Sequence, residues 1–211
     1  MTQPQRPLFI TAIGTDSGKT LVSAIVTEAL QADYWKPVQS GLPRDTETVQ
    51  SLVSNTVSQF HREAYLLREP LSPHASAAID GVQIELNRIH LPITPNRLVI
   101  EGAGGILVPL NDTDFVIDLA ERFAAEVILV ANLYLGSINH TLLSVAELKR
   151  RAAAGKCSIK GLIFNRCPVE TSEQIILRHA GLPCLLRIGN HETVTKDLVK
   201  HYAAELRGRL S

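Results

Sequence analysis

The sequence predicts an α/β fold in three layers, αβα, around a mostly parallel sheet. Three observations carry that prediction. Six short apolar runs, residues 8–11, 34–38, 97–100, 127–131, 159–165 and 184–188, recur between stretches of helical character, which is the alternation of βαβ units. The first run leads straight into Ala12-Ile13-Gly14-Thr15-Asp16-Ser17-Gly18-Lys19-Thr20, a loop that opens an amphipathic helix. Finally, the 211 residues suit a single domain, and a domain of that length buries roughly 70% of its unfolded surface, enough for a sheet with helices on both faces.

After the strand at 8–11, the first helix carries Leu21, Val22, Ile25, Val26 and Ala29 on one stripe, the 3.6-residue period of a helix packed on a sheet. The loop before it reads as a phosphate-binding loop. Its backbone N–H groups and the helix N-terminus would surround a polyphosphate, Lys19 would neutralise the β and γ oxygens, and the Thr20 hydroxyl would reach a magnesium ion. Gly14 precedes Gly18 by only four positions, and Ala12 stands where G-x-x-x-x-G-K-T has its first glycine, so the loop is a variant. The fold is therefore expected to be P-loop nucleotide-hydrolase-like.

The second strand, 34–38, contains Lys36 ahead of Pro37, with Ser40 and Gly41 close behind. Lysine is uncommon in a buried strand. A second ammonium facing the loop would stabilise charge built up between two substrates, an effect worth on the order of 3–4 kcal/mol per preorganised donor; the alternative is a surface lysine snorkelling from an edge strand. Asp45 reads on spacing as the N-cap of the next helix, with a metal carboxylate as the alternative. Pro70, Ser72 and Pro73 make the clearest break in the chain.

Glu101 follows Leu98, Val99 and Ile100 and precedes Gly102, Ala103, Gly104 and Gly105. A carboxylate at a strand end beside a phosphate loop is where magnesium needs a hard oxygen ligand, and the glycines let the backbone approach a ligand. A glycine-rich turn with a solvated glutamate is the other reading. Asp112, Asp114 and Asp118 begin a helix, and a further helix spans 138–153, where Lys149, Arg150 and Arg151 read as a solvated C-terminal end. Thr171 with Gln174 reads as a capping box, and Gly181 with Pro183 ends that helix. His74 and His140 lie beside turn or helix-start signals and read as structural.

In an open parallel sheet, ligands collect beyond the carboxyl ends of the strands. Lys19 and Thr20 follow the first strand, Lys36 ends the second, Glu101 ends the strand Leu98 to Ile100 and Asn165 ends the strand Ile159 to Phe164, so four strand ends supply polar groups to one rim.

Composition narrows the partners. Lys plus Arg equals Asp plus Glu at 21 each with no basic stripe, which argues against nucleic acid and anionic membrane and for small molecules. Cys157, Cys167 and Cys184 are odd in number and lack C-x-x-C spacing, so neither a disulfide framework nor a thiolate metal site is expected, and a reducing cytoplasm fits. No apolar run approaches the ~20 residues needed to cross a bilayer, and the N-terminus is polar until Leu8, so a soluble, unprocessed, cytoplasmic protein is expected.

Taken in order, Thr15 to Thr20, then Lys36-Pro37-Val38-Gln39-Ser40-Gly41, Asp45, Glu101-Gly102-Ala103-Gly104-Gly105 and Leu135-Gly136-Ser137-Ile138-Asn139-His140 resemble the ATP-dependent dethiobiotin synthetases. The segment Glu69-Pro70-Leu71-Ser72-Pro73-His74 is similar to one in that family too. The resemblance implies that 7,8-diaminononanoate, carbon dioxide (or bicarbonate) and ATP give dethiobiotin, ADP and phosphate in biotin biosynthesis, through a carbamate and a carbamic-phosphoric anhydride. By similarity, Lys36 and Lys19 would be catalytic, and Thr20, Asp45 and Glu101 would hold Mg2+. ATP would be bound by Asp16, Ser17, Gly18, Lys19, Thr20 and Leu21, by Asp45, Glu101, Gly102, Ala103 and Gly104, and by Asn165 and Arg166. Thr15, Lys36 and Ser40 would meet the diamine end of the substrate. The family is similar in working as a homodimer, which implies that Gly136, Ser137, Ile138 and Asn139 hold the substrate carboxylate from the opposite subunit at a helix N-terminus; an ordinary helix start capped by Ser137 is the alternative. Three positions depart from the pattern: Tyr134, where a related enzyme has lysine; Arg166, where an acid is expected; and Leu186 to Asn190, which lacks a Gly-acid-Ile-Pro run.

Two other classes share the loop and sheet. A ParA/MinD-like nucleotide-switch ATPase acts through protein partners, but such proteins typically carry an extra lysine early in the loop, where this chain has Ile13, Gly14 and Thr15. An amide-forming synthetase of cofactor biosynthesis usually adds a glutamine-hydrolysing domain, for which 211 residues leave no room.

Overall fold

The computed structural model describes residues 5–167 and 169–210. The chain runs β1 (Leu8–Ala12), α1 (Lys19–Leu30), β2 (Asp33–Trp35), β3 (Val38–Ser40), α2 (Asp45–Leu52), β4 (Phe60–His61), β5 (Tyr65–Leu67), α3 (Pro73–Asp80), β6 (Leu98–Gly105), α4 (Val116–Arg122), β7 (Glu126–Asn132), α5 (Ser137–Ala153), β8 (Ser158–Cys167), α6 (Glu170–Ala180), β9 (Cys184–Gly189) and α7 (Lys196–Leu210). Seven strands form one parallel sheet in the order β4-β2-β6-β1-β7-β8-β9, while β3 and β5 pair in a separate parallel ladder. β1 is the centre of the large sheet. The chain builds to one side of it with β2, β4 and β6 and to the other with β7, β8 and β9, so the direction of travel reverses at β1, where an open sheet forms its ligand crevice.

Both faces of the sheet are buried, as a parallel sheet requires. Successive residues alternate between faces: Phe9, Ile100, Val127, Leu129 and Phe164 pack on the side of α4, α5 and α6, while Leu8, Ile10, Val99, Ile128 and Ile163 meet Val22, Ile25 and Val26 of α1 and Val199 and Leu206 of α7. The predicted three-layer architecture is the one observed. Among the described residues, no helix is long and apolar enough to cross a membrane.

Several local readings are corrected. The run 34–38 is two strands in different sheets, broken at Lys36-Pro37, because Pro37 has no N–H to donate and its carbonyl instead accepts from the amides of Ala64 and Tyr65. The glycine run after Glu101 is not a turn: β6 continues to Gly105, which pairs with Ala12. Arg44, not Asp45, is the N-cap of α2, and Asp45 is its first helical residue. Thr171 lies inside α6, whose N-cap is Val169 without a side-chain cap bond, and Gln174 bonds to Glu170. The end of α6 at Gly181 is as expected, with φ +56°. Asp118 sits in the first turn of α4 and accepts the Phe115 amide at 2.6 Å, but Asp112 and Asp114 precede the helix in a turn. Arg151 is buried rather than solvated, because α5 lays its last turn against α4 and the guanidinium meets Asp118, Glu121 and Glu147 at 2.5–2.6 Å. Cys157 and Cys184 are free thiols; the side chain of Cys167 lies outside the described residues.

Candidate active site

The loop between β1 and α1 is held in shape from within and from beneath. Ser17 Oγ donates to the Gly14 carbonyl at 3.0 Å, Lys19 Nζ reaches back to the same carbonyl at 3.3 Å, and Asn165 Nδ2 donates to the Ser17 carbonyl at 2.9 Å. Gly18 adopts φ +96°, and a Cβ there would lie 2.0 Å from Asn165 Nδ2, so only glycine fits between the loop and the end of β8. The first amides of α1 have no intrahelical partners, which leaves donors at the loop for an anion. Burial lowers the Lys19 pKa to about 8, an effect that Lys36 adds to and that Glu101 and Asp45 partly offset.

Beside the loop, four elements converge. β2 and β6 pair with Trp35 opposite Ile100, so the next residues, Lys36 and Glu101, emerge side by side. α2 brings in Asp45, and the first turn of α1 brings in Thr20. Lys36 Nζ lies 2.5 Å from Asp45 Oδ2 and 3.1 Å from Glu101 Oε1. Thr20 Oγ1 lies 3.1 Å from both Asp45 Oδ1 and Glu101 Oε1. Lys36 is 4% exposed and follows β2, which lies between β4 and β6 and is no edge strand, so the snorkelling alternative is ruled out. Burial acts to strip its proton, but Glu101 and Asp45 outweigh it and hold the Lys36 pKa above the usual lysine value, so the group is an ammonium.

Glu101 is 1% exposed and so is no solvated turn residue. The donor set suits a hard cation: one hydroxyl and two carboxylates, all oxygen, within one cluster. Among the described residues there is no group of three or more His, Cys, Asp or Glu able to hold a metal; the cluster offers two carboxylates, and magnesium usually takes one or two.

A cleft of about 710 Å³ opens over this cluster. Its wall brings together Thr15, Asp16, Gly18, Lys19 and Thr20 of the loop with Lys36, Ser40, Asp45 and Glu101. Ala103, Gly104 and Arg166 line it further out. The Ser40 hydroxyl is buried without a protein partner. Other expected residues lie outside the wall. Ser17 is buried within the loop, Leu21 lies on α1 one residue beyond Thr20, and Gly102 packs against Val116 and Phe9, where a Cβ would come within 2.9 Å of Val116. Asn165 is 4% exposed beneath the loop. Gly136 to Asn139 stand at the start of α5, away from this cleft wall. There Gly136 is the N-cap with φ +103°, and Ser137 is no cap: its Oγ accepts the Tyr134 amide at 3.2 Å. The Tyr134 hydroxyl lies 2.6 Å from His140 Nδ1.

Sequence reasoning missed two side chains that hold this cluster. Tyr34 is fully buried and donates to Glu101 Oε2 at 2.9 Å; burial, and next the Glu101 charge, push its phenol pKa well above the usual value, so it keeps its proton. It stands two residues before Lys36, and period-two spacing was the available signal. Gln39 Oε1 accepts the Asp45 amide at 3.1 Å while its Nε2 donates to the Gly41 carbonyl at 3.1 Å, fixing the entry to α2. No spacing marks Gln39 out.

A family model described as an AAA domain matches residues 6–197. The ATP-dependent dethiobiotin synthetase of Cytophaga hutchinsonii is 58% identical over 200 residues, covering 94% of this chain and 95% of that protein. That of Christiangramia forsetii is 47% identical over 204 residues, covering 96% of each. A ParA family ATPase from Chlorobium tepidum superposes with a TM-score of 0.57 at 14% identity, over 98% of this chain and 91% of that one, a likeness of fold alone.

Proposed function

The chain belongs to the ATP-dependent dethiobiotin synthetase family, and on that premise we propose that it closes the ureido ring of dethiobiotin from 7,8-diaminononanoate, carbon dioxide and ATP. The observation that carries this reading is the buried Lys36 ammonium beside the phosphate loop, held by Asp45 and Glu101. A nucleotide switch of this fold typically carries its extra lysine early in the loop, where this chain has Ile13, Gly14 and Thr15.

The residues divide the work as follows. The loop amides, Lys19 and the N-terminus of α1 hold the triphosphate, with Asn165 fixing the loop from below and Arg166 at the nucleoside side. Thr20, Asp45 and Glu101 hold Mg2+, which when bound neutralises phosphate oxygens and fixes their orientation. Thr15 and the unpartnered Ser40 hydroxyl meet the diamine end. One substrate amine captures carbon dioxide, giving a carbamate and releasing a proton; Lys36 and Lys19 hold that anion against the γ-phosphate. A carbamate oxygen then attacks phosphorus in line and ADP leaves. The second amine attacks the carbonyl carbon of the resulting anhydride and gives up a proton, and phosphate departs as the ring closes. Positioning and charge neutralisation supply most of the rate.

In the same reading the protein is a single-domain cytoplasmic homodimer. The N-terminus of α5, residues Gly136 to Asn139, faces the substrate carboxylate bound by the other subunit; no side chain caps that helix, and of its first amides that of Ser137 donates to the Tyr134 carbonyl at 2.9 Å, which leaves its neighbours for the anion. The test is to incubate the purified protein with the diamine, bicarbonate, magnesium and ATP and to look for dethiobiotin by mass spectrometry. Tight ATP binding without product would overturn the reading.

A further inference from the structure

Tyr34 lies in β2 with its ring buried among Ile10, Val22, Val99 and other aliphatic residues beneath α1. A phenylalanine would fill that volume. A hydroxyl in such a place is costly without a partner, and the partner it has is Glu101 Oε2, at 2.9 Å. The other oxygen of the same carboxylate, Oε1, is the one 3.1 Å from both Thr20 Oγ1 and Lys36 Nζ. The two oxygens of Glu101 therefore have separate duties, one facing the core and one facing the cleft.

The last torsion of a glutamate is broad and roughly two-fold, so nothing in the side chain itself decides which oxygen faces which way or keeps the plane fixed. We propose that Tyr34 is the positioning residue for Glu101: by holding Oε2, it fixes the carboxylate plane and presents Oε1 alone to the divalent cation. The inference rests on Thr20, Asp45 and Glu101 being the metal ligands, as proposed above. Partners of this kind, which touch a ligand rather than the metal, are commonly worth 10–100-fold in metal affinity.

The experiment is a titration of the full chain with Mn2+ in the presence of ADP, reading free Mn2+ by electron paramagnetic resonance, so that no turnover is needed. Tyr34→Phe should raise the Mn2+ dissociation constant about tenfold or more, while ADP binding without metal stays within about twofold of wild type and the melt remains cooperative. Glu101→Gln is run alongside and should lose the site. If Tyr34→Phe binds Mn2+ as tightly as wild type while Glu101→Gln does not, Tyr34 is a core residue and the proposal fails with the metal site intact. If Glu101→Gln also binds Mn2+ normally, the ligand assignment itself fails and takes the proposal with it.

Discussion

Replacing Lys36 by methionine keeps the length and most of the volume of the side chain and removes one charge. In the native structure that charge lies 2.5 Å from Asp45 and 3.1 Å from Glu101, with side-chain exposures of 5% for the lysine, 28% for Asp45 and 0% for Glu101. Breaking a fully buried pair from one side costs about 3–5 kcal/mol. Here Asp45 keeps contact with water, and Thr20 and Tyr34 still donate to the carboxylates, so the lower end, about 3 kcal/mol, is expected for stability. The catalytic loss is separate: one preorganised donor to a developing anion is worth about 3–4 kcal/mol, which corresponds to roughly a 10²–10³-fold fall in kcat. The assay is dethiobiotin formation at saturating ATP, magnesium and diamine, with urea unfolding and ADP affinity measured on the same preparation. ADP affinity should change little, because Lys19 and the loop amides remain. A folded Lys36→Met protein that turns over within about threefold of wild type would refute the role given to this ammonium.

Three further outcomes are expected. Gly18→Ala forces a Cβ onto Asn165 Nδ2 at a φ of +96°, so it should destabilise the protein by more than about 1 kcal/mol and abolish tight ADP binding; calorimetry showing normal ADP affinity would mean the loop does not need that close approach. Glu101→Gln should raise the magnesium concentration needed for half-maximal turnover by about 10–100-fold or more, since even indirect contacts to a metal are worth that much; an unchanged magnesium titration would return Glu101 to a structural role. Hydrogen bonds from Arg150, opposed by burial and reinforced by Arg151, hold the Glu147 pKa down at about 2. A carboxylate depressed in the folded state stabilises above its unfolded pKa, and that stability is lost as pH falls toward the folded value. The difference in stability from urea unfolding between wild type and Glu147→Gln, about 1 kcal/mol at neutral pH because Arg150, the main partner, is largely in solvent, should hold down to about pH 4.5 and shrink toward pH 2; a constant difference across that range would contradict the assignment.

The layers of the fold were legible because parallel strands buried on both faces are written as short apolar runs, and the positions of Lys19, Lys36 and Glu101 were legible because Lys19 and Glu101 follow such runs and Lys36 interrupts one. The ladder of β3 and β5 was not, since three-residue strands carry too few residues to show a period. Asp45 was misplaced for a physical reason: an acid at a helix start favours the N-terminus whether it is the cap or the first residue, and here the extended backbone at Arg44 makes Arg44 the cap while the Asp45 side chain turns to Lys36. Arg151 was misread because the carboxylates that bury it come from α4, about thirty residues earlier in the chain. Tyr34 looked like any aromatic strand residue, because its function depends on a carboxylate 67 residues away.

The central claim is that the Lys36 cluster couples ATP cleavage to ring closure. Its most direct test is to measure ADP released and dethiobiotin formed in the same reaction as the diamine is titrated. The account predicts one ADP for each dethiobiotin and almost none without the diamine. ADP release that ignores the diamine would contradict it and point to a nucleotide switch built on the same fold.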